Sequence, residues 1–174
     1  WDEAKLLKFL KAADCFVLPN IAPSNHGTGP FPQIKGRLVN ETAFLGDGLT
    51  AYLASQLQTV MTTAWQVLAI STDPTVPVVL TAGGSKDPLF AALLATLTAR
   101  PVYAMFDRRG QAVTETTTLG AAIVGKAACL GIHPYIVDTS TLGIQYRATA
   151  PLTGELARAL AAYREQWLRQ LGMK

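Results

Sequence analysis

Apolar residues recur at helical spacing over much of the chain, and breaks in that spacing mark out its elements. Leu6, Leu7, Phe9 and Leu10 fall on one side of the stretch 2–13 and lysines on the other, which predicts an amphipathic helix with Asp2 at its start. Cys15, Phe16, Val17 and Leu18 read as a short buried strand stopped by Pro19, and a proline- and glycine-rich stretch from Pro19 to Arg37 reads as an irregular loop. Leu49, Leu53, Leu57, Val60, Met61, Ala64, Trp65 and Leu68 predict one long helix over 49–69, with Asp47 and Gly48 as its cap. The continuous apolar run from Val76 to Thr81 predicts a strand buried on both faces.

The pattern then repeats. Ala82 to Lys86 reads as a tight turn, Asp87 as a helix cap and Pro88 as a first helical residue, followed by a helix over 89–98. Val102 to Phe106 predicts a second strand, Asp107 to Gln111 a polar turn, and Leu119 to Leu130 a small-residue helix stopped by Gly131. A last helix over 154–171 places Leu156, Leu160, Tyr163, Trp167 and Leu171 on its inner face. Strands alternating with helices in this order predict an α/β class with parallel pairing.

Composition narrows the class further. Hydrophobic residues make up 49% and charged residues 16%, which excludes general disorder. The net charge of +3 is spread along the chain, so nucleic acid is not the expected partner. The segment from Leu49 to Ile70 carries Gln56, Gln58 and Gln66, and reads as a buried helix in preference to a membrane span. Cys15 and Cys129 belong to no CxxC pair, and no zinc site is expected from them and the two histidines. Both are expected as buried, reduced thiols in a cytoplasmic protein; the charged first residues do not resemble a secretion signal. A start at Trp1, almost directly inside a helix, suggests a fragment of a longer protein.

The candidate chemistry lies between Val78 and Pro88. Gly83 and Gly84 follow a strand expected to pair in parallel, where absent side chains let a ring or phosphate approach the main chain. The next helix starts within a few residues and presents free N–H groups. Asp87 is placed to cap that helix or to bind a ligand hydroxyl or amine. The same residues would equally make a purely structural turn. The segment Gly120 to Ala127 imitates a phosphate loop through Lys126, but Ala127 stands where Ser or Thr would hold magnesium, and its residues favour helix. Its small residues are better suited to close packing on a neighbouring backbone. His26 and His133 lack a nearby nucleophile or acid in sequence and read as surface or turn residues, while Trp65 and Trp167 read as packing residues.

Taken in order, Val78 to Phe90, Arg100-Pro101-Val102 and Thr118-Leu119-Gly120-Ala121-Ala122 resemble the carboxyl-terminal domain of the FGGY carbohydrate kinases. The likeness is good over about 42–131 and loose elsewhere. It implies a ribonuclease-H or actin-like fold lacking its first strands, with 1–40 as a connecting part and 41–174 as the nucleotide-binding subdomain. It further implies ATP-dependent phosphorylation of a sugar or polyol. Gly83, Gly84, Ser85 and Asp87 would lie on the adenosine side of the cleft, and Mg²⁺ would be held mainly by the nucleotide and by parts outside this chain. The family's catalytic Asp and its phosphate-contacting turn belong to the first strands, for which residues before 40 offer no match. No catalytic residue is therefore assigned, and the substrate would bind mostly in a missing amino-terminal domain.

Departures from the family pattern are Ala82 in place of the first glycine of a triplet, Ala92 in place of a frequent Gln, and a longer polar connection over 107–117. A non-catalytic interaction module of actin-like fold is the alternative reading. A flavodoxin-like binding protein is weakened by the lack of a phosphate loop after the first strand. The sequence is compatible with a homo-oligomer and does not identify the sugar.

Overall fold

A computed structural model describes residues 1–19 and 36–173. Helix α1, Glu3–Ala12, starts where Asp2 accepts hydrogen bonds from the Ala4 and Lys5 amides, and buries Leu6 and Leu10. Strand β1, Phe16–Val17, pairs antiparallel with β2, Leu38–Val39, which sequence reasoning did not anticipate. Most of the predicted loop over 19–37, with His26, lies outside the described residues.

A short helix α2, Glu41–Gly46, leads into α3, Gly48–Ile70. Asp47 caps α3 by accepting from the Leu49 amide and the Thr50 hydroxyl. The predicted stripe is buried at Leu53, Leu57, Val60, Met61 and Ala64, whereas Leu49 is exposed and Trp65 is partly buried against the core.

Strand β3, Val78–Leu80, runs parallel to β4, Val102–Phe106, with Val78 opposite Val102; helix α4, Pro88–Thr98, connects them. Burial of β3 on both faces is corrected: Leu80 is buried, but Val79 is 43% exposed. β3 is the edge strand of its sheet, and alternate side chains of a strand point to opposite faces, so only the Val78 and Leu80 side packs on the core. Helix α4 is apolar nearly all round because it lies between α3 and the sheet. The predicted tight turn over 82–86 is a 3₁₀ helix, Ala82–Lys86.

Helix α5, Thr116–Leu130, starts earlier than predicted and ends where Gly131 turns left-handed at φ 64. Its glycines do not serve close packing, since a Cβ at Gly120 or Gly125 would meet nothing within 4 Å; of its small residues Ala127 is buried. Cys129 is exposed on α5, correcting the expectation of a buried thiol. The chain returns as β5, Gln145–Thr149, antiparallel to β4, so the three-stranded sheet is mixed and not purely parallel. Helix α6, Gly154–Gln170, buries Leu160, Tyr163 and Trp167. Tyr163 stacks on Phe9 and Phe16, joining α6 to α1 and β1 in one core with α3 and α4. The class is α/β. Among the described residues no helix is long and apolar enough to cross a membrane.

Candidate functional site at the end of the parallel strand

The corner after β3 is fastened from several sides. Thr81 is still extended, and Ala82 turns the chain at φ 51. The Ala82 amide donates to the Val113 carbonyl at 3.1 Å, and the Gly84 amide donates back to Thr81 at 3.1 Å. Ser85 is buried, and its hydroxyl donates to the Leu80 carbonyl at 2.7 Å. These bonds leave the main chain at the glycines as the open part of the corner. A Cβ added at Gly83 would meet nothing within 4 Å, and one at Gly84 would touch only Leu80, at 3.6 Å. Neither glycine has a positive φ, so open space beside the backbone distinguishes them, with no demand for left-handed geometry.

Asp87 ends the corner and begins α4. Its Oδ1 accepts from the Leu89 and Phe90 amides at 3.0 Å each, and Pro88 occupies the first turn, where no amide hydrogen is needed. Its Oδ2 accepts from the Tyr52 hydroxyl at 3.4 Å. Burial, and then the nearby Asp87 carboxylate, push the Tyr52 phenol above its ordinary range. Tyr52 arrives from α3, 35 residues away in sequence, and sits one position before the buried Leu53. That off-stripe position was its only signal in the sequence, and sequence reasoning missed it.

Tyr52 and Asp87 share a groove of about 440 Å³ with Leu49 of α3, Lys5 of α1, and Lys86 and Pro88. Its walls are more apolar than polar, and its size falls in the range of small-molecule sites, roughly 300–1,000 Å³. Gly83 and Gly84 stand just before the groove and do not line it. Of the four residues picked out from sequence, then, Gly83 and Gly84 present bare main chain, and Ser85 turns inward to hold the corner. Asp87 caps α4 through one oxygen and faces Tyr52 with the other.

The remaining candidates are structural. The phosphate-loop imitation around Lys126 lies inside α5, and Lys126 Nζ donates to the Asp138 carbonyl. His133 is a turn residue whose Nδ1 accepts from the Tyr135 amide. Among the described residues no three His, Cys, Asp or Glu side chains converge as a metal site. Comparison with protein families, with characterised proteins and with solved structures yields no match.

Proposed function

We propose that this chain is the carboxyl-terminal part of an ATP-dependent sugar or polyol kinase of ribonuclease-H or actin-like fold, supplying the adenosine side of its nucleotide cleft. The observation that carries the reading is the open main chain at Gly83, at the carboxyl end of a strand paired in parallel and just before a capped helix. The residues fit a nucleoside: a flat ring needs backbone without side chains, and an amine or hydroxyl needs an acceptor such as Asp87 Oδ2. They do not fit a protein-held metal, so Mg²⁺ would be carried by the nucleotide.

In this reading the residues bind and orient. The bonds from Ala82, Gly84 and Ser85 keep the corner rigid, Asp87 offers one acceptor oxygen, and the apolar groove beyond it excludes water. ATP supplies the transferable phosphoryl group, and phosphoryl transfer relies mainly on positioning and charge stabilisation. A chain holding one wall of the cleft and no base is therefore expected to bind nucleotide without turnover.

One observation favours the alternative, a non-catalytic interaction module: the Ser85 hydroxyl and Asp87 Oδ1 are both engaged within the corner itself. Calorimetric titration with ATP separates the two. Saturable binding is expected, and Gly83→Leu should weaken it at least about tenfold, or 1.4 kcal/mol. The melting midpoint should stay in place, because the new side chain points into open space. Absence of saturable heat in the parent chain favours the interaction module.

A further inference from the structure

A second groove, of about 420 Å³, shares Lys86, Asp87 and Pro88 with the first and is otherwise walled by the sheet, Ser85, α4 and Ala112. Its apolar side is built from small residues and one ring: Ala91 of α4, Ala104 and Phe106 of β4, and Ala112. Arg147 enters from β5. The register sets Arg147 opposite Ala104 and diagonal to Phe106, and its guanidinium carbon lies 4.0 Å from the centroid of the Phe106 ring. A Cβ at Gly110 would come within 3.1 Å of Arg147 Nη2, so the bare main chain of the 107–111 turn lets the guanidinium sit there. Arg147, itself exposed, thus lies between a ring and a glycine, with its guanidinium over the ring.

Its charge is not answered. Among the described residues neither Arg147 nor Lys86 takes part in an ion pair. Asp87 lines the same groove but forms an ion pair with neither cation; its Oδ1 accepts from the α4 amides and its Oδ2 from the Tyr52 hydroxyl, at 3.4 Å. Two cations and one carboxylate leave the lining with one net positive charge. An oriented guanidinium presents parallel N–H donors that match the two oxygens of a carboxylate. The alanines opposite leave room for an apolar body.

We propose that this groove binds a small organic monoanion, a carboxylate on a compact apolar body, with Arg147 and Lys86 holding the charge and Ala91, Ala104 and Ala112 the body. The site goes beyond the nucleotide reading and stands without it. Benzoate is the probe, titrated into the full chain and followed by calorimetry and by amide chemical shifts. Saturable binding in the millimolar range is expected, with shifts centred on 104–112 and 145–149. Benzamide, equal in shape and uncharged, should bind at least about tenfold more weakly, as should benzoate to Arg147→Gln. Ala112→Leu, which fills the groove from a half-buried position, should abolish binding, and Gly83→Leu should leave it unchanged. Melting curves establish that each variant is folded; if Arg147→Gln is not, benzamide and Ala112→Leu decide. Equal affinity for benzoate and benzamide, indifference to Ala112→Leu, tighter binding of phenyl phosphate than benzoate, or no saturation up to about 20 mM would each overturn the proposal.

Discussion

Cys15 and Cys129 carry the same thiol in opposite settings. Cys129 is exposed on α5, while Cys15 is buried beside β1, with Asn40 Nδ2 at 3.8 Å from its sulfur. Burial, followed by the neighbouring Asp14, pushes the Cys15 thiol from its ordinary 9.0 up to about 11. Its native pKa is raised, so the unfolded chain releases this proton first. The contribution of Cys15 to stability is therefore complete below pH 9 and is lost as pH rises from 9.0 to about 11. Urea unfolding measured across that window should show stability falling with pH, and Cys15→Ala should flatten the fall. The sequence sets Cys15 in a strand and Cys129 in a helix, yet burial was expected of both, because exposure depends on what covers each one. The same holds at the candidate corner. Gly83, Gly84 and Asp87 were legible from spacing alone, but the inward turn of Ser85 and the approach of Tyr52 depend on neighbours that local sequence does not specify.

Helix ends were the most legible elements. Asp2, Asp47 and Asp87 cap α1, α3 and α4 through their side chains, and Gly131 stops α5. The carboxyl ends of α1 and α4 depart from this, for Ala13 (φ 45, ψ 40) and Ala99 (φ 51, ψ 35) adopt the left-handed conformation there. This conformation costs an L residue roughly 1–2 kcal/mol, part of which glycine returns through its larger unfolded-state entropy. Ala99→Gly should therefore raise stability by about 0.5–1 kcal/mol, seen as a higher urea midpoint with unchanged slope. Strand β5 was missed for a physical reason: Gln145, Tyr146, Arg147 and Ala148 are all exposed, so the strand has no hydrophobic alternation to read. The length of β3 was overestimated because a continuous apolar run is as compatible with an edge as with a central position.

At the scale of the molecule, α6 closes the fold onto β1. The Tyr163 hydroxyl donates to the Cys15 carbonyl at 2.6 Å, and Trp167 Nε1 donates to the Val17 carbonyl at 2.9 Å, across separations of 148 and 150 residues. Both side chains are fully buried in the core that also holds Leu6, Leu57 and Leu93. Tyr163→Phe keeps the ring contacts with Phe9 and Phe16 and removes only the donor, leaving a buried carbonyl without that partner. It should cost about 1–3 kcal/mol, measured by urea unfolding at neutral pH. Tyr163→Phe and Ala99→Gly act at separate contacts, so their effects should add.

Helix positions, their caps, the β3–α4–β4 order and the bare glycine corner follow from local chemistry: apolar spacing, side-chain oxygens beside free amides, and backbone without a Cβ. The tertiary structure alone decided that β5 runs antiparallel to β4, that Val79 faces outward and that Tyr52 meets Asp87. It also placed Arg147 between Phe106 and Gly110. The β4–β5 pairing, the Tyr52–Asp87 contact and the placing of Arg147 each join segments far apart along the chain, and the outward face of Val79 depends on which side of the sheet is covered.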